Sequence, residues 1–350
     1  MDKTLLMDYI NYLISEQTSV KMNQLILISA GKRTPSNLFL AEKNRLQALF
    51  NAEYDVHLDE WESILHKLVE KKYLQETEGL YTGTTQGEYR REKFLEENTI
   101  FTEVSSLEFS QTRKVFWGWF VFVSQVLSEI AFENSRYIPY SSNKEEQLRV
   151  KYWLKNQGKS VRELRKLWAE EFTAYMHDLP EVYRYLLIDQ LVGFNKEGLT
   201  NRQLSEKYDL SAVELSIVMN HLMHLMISTH YNSDSLIGSL IKEVHQANNN
   251  GLSQSAAVTL ELINKKWTIK AISAKRKIKL NTVKEHILEI VLVTQKLQSS
   301  FFIPEEVYRD LNGLFELNPS LSYKEARLAL QECEFFWYRL IEIERMRSSK

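Results

Sequence analysis

The chain has 350 residues, and its 44 Lys+Arg against 46 Asp+Glu exclude a general polycation, so any binding to nucleic acid has to come from a local patch. Eleven Gly and five Pro, among many Leu, Glu, Lys and Gln, predict a mainly α-helical protein long enough for two or three domains. One cysteine, Cys333, excludes a disulfide framework and a Cys-based zinc site, and fits a reducing cytosol.

The N-terminus does not read as a signal peptide, because Asp2 precedes the apolar residues and Asp8 and Asn11 interrupt them. Helices are expected over 5–15, 22–31, 38–50 and 59–72, with a break at Gly31 to Pro35 and Asp59 as an N-cap. Two short strands, 73–77 and 80–82, follow around a Glu78-Gly79 turn. Helices followed by such a hairpin are the order of a winged helix, and residues 1–97 are expected to form this first domain. Its candidate basic residues are Lys32, Arg33, Lys43 and Arg45; carboxylates at the hairpin tip argue against a strand-separating wing.

Residues 94–110 read as a polar linker into a helical middle domain, 98–250. The most apolar window, 115–130, is too short for a bilayer and is broken by Ser124, Gln125, Ser128 and Glu129. A buried core helix over 115–132 is expected instead, with another over 147–156. Gly158-Lys159-Ser160 has the end of a phosphate-binding loop, but Trp153 stands where the loop needs its first Gly, so no ATP site is expected. A helix-turn-helix pattern spans 199–223, with Leu204 and Leu210 six apart and a Ser211-x-x-Glu214 capping box. Arg202 and Lys207 there meet Glu206, Asp209 and Glu214, a balance that favours structure or a protein contact over DNA. His221, His224 and His230 lack a carboxylate at ligand spacing, so no metal is expected. Asn248 to Gly251 is the boundary to the last domain, 251–350.

That domain opens on the densest charge in the chain. From Lys265 through Lys284 there are eight basic residues and no acid. Ile269, Ile272, Ile278, Val283, Ile287 and Ile290 recur at spacings that suit two helices joined by a tight turn. The second helix, 280–292, is the one that can enter a major groove. Lys270, Lys275, Arg276, Lys277, Lys279 and Lys284 are the expected phosphate contacts, with Asn281 and Thr282 near phosphates or base edges. Helices over 304–315 and 323–347 complete the chain, the last with a packing stripe of Leu328, Cys333, Phe336, Trp337 and Leu340. No nucleophile elbow or paired-acid motif stands out, so neither enzymatic activity nor a cofactor is expected.

The pattern Ile272-Ser273, Ile278, Thr282-Val283 and His286-Ile287 resembles the helix-turn-helix at the C-terminus of RecQ-type helicases and their partners. The usual Ala, turn Gly and N-cap Ser are replaced by Ser273, Lys277 and Lys279. A left-handed Lys277 costs about 1 kcal/mol relative to Gly, and losing the Ser cap typically about another 1 kcal/mol. Gly31-Lys32, Leu49-Phe50, Glu60-Trp61, Tyr73-Leu74, Tyr81-Thr82, Thr85 and Gly87 resemble the winged-helix domain of the same helicases. The string 115–154 resembles the middle of YpbB-type proteins, bacterial helix-turn-helix proteins associated with a RecQ-like helicase. The resemblance implies a cytoplasmic, non-enzymatic DNA-binding accessory protein with a RecQ-like helicase as partner, acting in DNA repair or recombination. The residues themselves leave open a transcriptional regulator and a protein-interaction scaffold.

Overall fold

The structure, a computed structural model, describes residues 4–52, 56–102, 106–294 and 297–348. Asp2 lies outside them, as do residues 103–105 of the expected linker. The first stretch folds as α1 (Thr4–Leu13), α2 (Met22–Ser29), α3 (Pro35–Lys43) and α4 (Leu58–Glu70), then β1 (Leu74–Thr77), β2 (Leu80–Gly83) and α5 (Thr85–Glu97). Glu78 and Gly79 both take positive φ, 54° and 76°, the mirror-image turn that matches strand twist. Tyr81 of β2 exchanges backbone hydrogen bonds with Val20, so the segment between α1 and α2 adds a bridge to the hairpin.

Three local expectations are corrected here. The third helix begins at Pro35, capped by the Thr34 side chain, and stops at Lys43 because Arg45 turns left-handed. The fourth begins at Leu58, which leaves Asp59 in its first turn, where a carboxylate suits the positive helix end. The expected polar linker begins inside the last turn of α5, and its described residues pack, with Phe94, Ile100, Phe101 and Leu107 all buried.

The middle contains α6 (Ser110–Ala131), α7 (Lys144–Asn156), α8 (Val161–His177), α9 (Glu181–Ile188), α10 (Asn201–Tyr208), α11 (Ala212–His230) and α12 (Leu236–Ala247). The apolar window is α6, whose Phe120 stacks on Trp117 and Trp168 with centroids 5.1 and 4.6 Å away. It is covered by α8, α11 and α12. Among the described residues no single helix is long and apolar enough to cross a membrane. Gly158-Lys159-Ser160 marks a helix end and a helix start: Gly158 takes φ +62° after α7, and Ser160 caps α8 in a box with Glu163. The Ser211 and Glu214 box forms as well, and Asp209 takes the left-handed turn between α10 and α11.

The last stretch holds α13 (Gln254–Asn264), α14 (Ile269–Arg276), α15 (Leu280–Thr294), α16 (Glu305–Leu317), α17 (Tyr323–Ala329) and α18 (Phe335–Ser348). The expected long final helix is therefore two. Leu330 goes extended, and Cys333 is buried in the break, where desolvation raises its thiol pKa. The apolar cores of the three stretches join in one cluster running from Leu6 to Ile343. Helix α15 packs on α3 of the first stretch, and Arg347 of α18 ties the two together through Glu42 and the carbonyls of Val291 and Leu292.

Burial also sets the titration of His221. His221 is fully enclosed, with Nε2 3.2 Å from the Tyr9 hydroxyl and its ring 4.4 Å from that of Phe101. Desolvation, then the Arg113 charge, push its pKa well below the ordinary value. The unfolded chain thus takes up a proton near pH 6.5 that the folded chain refuses. Stability is full above that pH and is lost as pH falls from there toward the folded pKa, at up to about 1.4 kcal/mol per pH unit for this one proton. The urea midpoint of wild type is expected to fall between pH 7 and pH 5 more steeply than that of His221→Gln. Equal slopes for the two proteins would exclude His221 as the source.

Candidate nucleic-acid interface

Helices α13, α14 and α15 form a three-helix unit around Ile272, Val283 and Ile287, all fully buried. The corner between α14 and α15 is closed by reciprocal bonds: the Ile278 N–H donates to the Ser273 carbonyl (3.2 Å), and the Ser273 hydroxyl donates to the Ile278 carbonyl (2.6 Å). Lys277 caps α14 at φ 53°, ψ 42°, the left-handed position that the Gly register implies. Its strain is modest, and it aims a long cationic side chain outward from the turn. Thr268 caps the other end of α14 by accepting the Ala271 N–H.

The eight residues expected at the DNA divide into two sets. Lys270, Lys275, Lys277, Lys279 and Asn281 are exposed, and Thr282 is half-buried. Lys265 and Lys266, exposed on the turn before α14, extend the same edge. Arg276 departs from expectation. Its guanidinium turns inward to the Ser255 carbonyl and hydroxyl, both 2.8 Å away, and to the Thr259 hydroxyl, tying α14 to α13. His286 faces that same Thr259 hydroxyl at 2.9 Å, and burial together with Arg276 lowers its pKa. Lys284 departs too: it pairs with Glu334 and lies 5.7 Å over the Phe336 ring, so its charge is neutralised within the protein. Both residues hold the unit together, and the open positive charge is lysine alone.

The outer face of α15 does not stand free. Asn281, Lys284, Glu285 and Leu288 line a groove of about 850 Å³ whose other walls are Ser253, the start of α3, α17 with Arg327, and the 331–336 segment, which carries Glu332 and Glu334. Only the first turn of α15 shares the open edge with α14. Among the basic residues expected to matter in the first stretch, Arg33 is bound to Glu289 (3.0 Å) and to the Gly251 carbonyl (2.7 Å). Lys32, Lys43 and Arg45 are exposed, and Lys43 lies 5.7 Å over the Phe39 ring. Sequence reasoning passed over Trp267, which is 40 % exposed between Lys266 and Thr268. An aromatic near a helix end reads by default as core, and the lysines around it were the available signal.

Residues 255–341, from α13 into α18, match a family model described as a helix-turn-helix domain. The chain is also 25 % identical over 185 residues to Protein YpbB of Bacillus subtilis (strain 168), across 53 % of this chain and 52 % of that protein. It thus spans about half the length of the curated relative it matches. No solved structure matches the chain significantly. The chain is therefore similar, over half its length, to a YpbB-type helix-turn-helix protein, and its matched helix-turn-helix domain is the part that carries the lysine edge.

Proposed function

We propose that this protein is a non-enzymatic DNA-binding protein that holds duplex or forked DNA by phosphate contacts and serves a RecQ-like helicase in the cytoplasm. The observation that carries the reading is an acid-free run of exposed lysines on a helix-turn-helix domain in a chain of net charge −2. Lysines that neutralise phosphates release condensed counterions, which gives affinity without sequence preference. Lys270, Lys275, Lys277 and Lys279 take phosphates, and Asn281 and Thr282 lie at the end of α15 nearest the strand. The winged-helix-like first stretch and the middle helices supply the helicase contact, a step that rests on the RecQ and YpbB-type resemblances.

The walled groove along α15 favours phosphate contact over base readout, and so weighs against a sequence-reading regulator. The same wall favours a second reading, a protein-interaction scaffold whose helix-turn-helix units are structural. Fluorescence anisotropy with blunt duplex and forked DNA of scrambled sequence, over a salt series, separates the two. Lys275/Lys277/Lys279→Ala, with Arg276 left in place, is expected to weaken binding to all sequences alike. It should flatten the plot of log affinity against log salt by about 1 for each phosphate-binding lysine removed. An unaltered slope removes this edge from the proposal, and no wild-type binding at low salt leaves the scaffold in front. Co-sedimentation with a purified RecQ-like helicase tests the partner, and its absence leaves DNA binding alone.

A further inference from the structure

Exposing an indole to water costs free energy, and the side chain is normally packed away for the most part, so a tryptophan held open by a well-defined backbone calls for an account. Helix α13 ends at Asn264 with Lys265 as its C-cap, and Lys266 takes φ 63°. The Lys266 N–H donates to the Ile263 carbonyl (2.8 Å) and the Trp267 N–H to the Leu262 carbonyl (3.1 Å). This pair of bonds is a Schellman closure, with Trp267 in the position that follows the left-handed residue. Thr268, next in the chain, already caps α14. Two helix ends therefore fix the Trp267 backbone, yet its side chain is 40 % exposed. Around it Lys265, Lys266 and Lys270 are exposed as well, and α14 carries the edge on to Lys275 and Lys277. An α-helix of eight residues is about 12 Å long, so indole and lysines fall within the reach of a few nucleotides.

We infer that Trp267 is a stacking platform for an unpaired base, with Lys265, Lys266 and Lys270 on the flanking phosphates. The inference rests on the DNA-binding reading and names the kind of DNA: a strand with unpaired bases beside a duplex. Every base has a π-face, so stacking selects for unpaired strand and not for sequence. Inside a duplex those faces are stacked on one another, so Trp267 gains nothing there, and only the lysines act. The indole thus gives a lysine edge that is otherwise indifferent to DNA structure a preference for forks and overhangs.

The test is anisotropy with the full chain and its Trp267→Ala and Trp267→Phe variants on a single strand, a blunt duplex and a fork. Trp267→Ala is expected to bind the single strand and the fork about tenfold more weakly, within the range that removal of one base-stacking aromatic gives. Blunt-duplex binding should hold, and Trp267→Phe should restore most of the loss. An equal loss on duplex and fork, or no loss on either while wild type binds, overturns the inference and leaves phosphate binding standing. Failure of wild type to bind any of the three overturns the DNA reading itself. Because the side chain is exposed, matched circular-dichroism spectra are expected for all three proteins.

Discussion

Glu289→Ala is expected to destabilise the protein by about 3–5 kcal/mol, the cost of breaking a buried ion pair from one side. The residue sits in the middle of α15 and is 5 % exposed. Its Oε1 accepts the Arg33 Nε–H (3.0 Å) and the Ser253 N–H (2.7 Å), and its Oε2 accepts the Ser253 hydroxyl (2.9 Å). One carboxylate thus joins three stretches: the lead into α3, the N-cap of α13, and α15 itself. Alanine would leave the Arg33 guanidinium short of its counter-charge and the Ser253 N–H without its acceptor, at the wall of the groove along α15. Glu289→Gln keeps one acceptor oxygen in the same shape and exchanges the other, with the charge, for an NH2 donor, so it should cost less than alanine. The check is the urea midpoint of both variants at pH 7. A loss below about 1 kcal/mol for alanine would mean the pair is screened like one on the surface. Arg33 was a candidate DNA contact by sequence; bound as it is, Arg33→Met should lower stability and leave the salt dependence of DNA binding unmoved.

Which features were legible follows from the distance over which they are determined. The Ser211 and Glu214 box, the Glu78-Gly79 turn and the left-handed Lys277 each depend on three to six neighbouring residues, and each forms where the sequence places it. The core of the helix-turn-helix follows from the spacing of Ile272, Ile278, Val283 and Ile287. Helix α5 was hidden because its residues are mostly polar; Phe94 and Gly87 are its buried positions, and the burial comes from α1, seventy to eighty residues earlier. The break at 330–334 was hidden because Leu330 to Glu334 contains neither Gly nor Pro. The lysine edge was found, but the commitments of Arg276 and Lys284 were not. Their partners Ser255, Thr259 and Glu334 lie 17 to 50 positions away, and only the tertiary fold brings them together. A cluster of like charge therefore locates an edge, while the number of charges free to bind depends on which of them the fold has already paired.

Arg113→Met should be as damaging as Glu289→Ala, again by about 3–5 kcal/mol, for a reason that charge counting would miss. Arg113 lies near the start of α6 and is 2 % exposed, among the largest fully buried side chains of the protein. Its Nε donates to Asn220 Oδ1 at 2.7 Å, and its Nη2 to the carbonyls of Gln47 and Phe50 at 3.3 and 3.2 Å. Asn220 in turn donates to the Ala48 carbonyl at 2.9 Å. The turn after α3 thus points three backbone carbonyls into the core, and the arginine fork with its asparagine satisfies them. Methionine fills the same length without a donor, which takes the arginine bonds from the Gln47 and Phe50 carbonyls and from Asn220 Oδ1; lysine keeps a charge but offers a single point in place of a fork, so Arg113→Lys should fall between. Urea midpoints give the ranking, and hydrogen exchange should quicken first in residues 46–52. If Arg113→Met unfolds at the wild-type midpoint, water or a rearranged turn meets those carbonyls and the clamp is incidental. If it behaves as expected, one arginine joins the turn after α3 to α6 and α11, and the seat on which α15 rests depends on it.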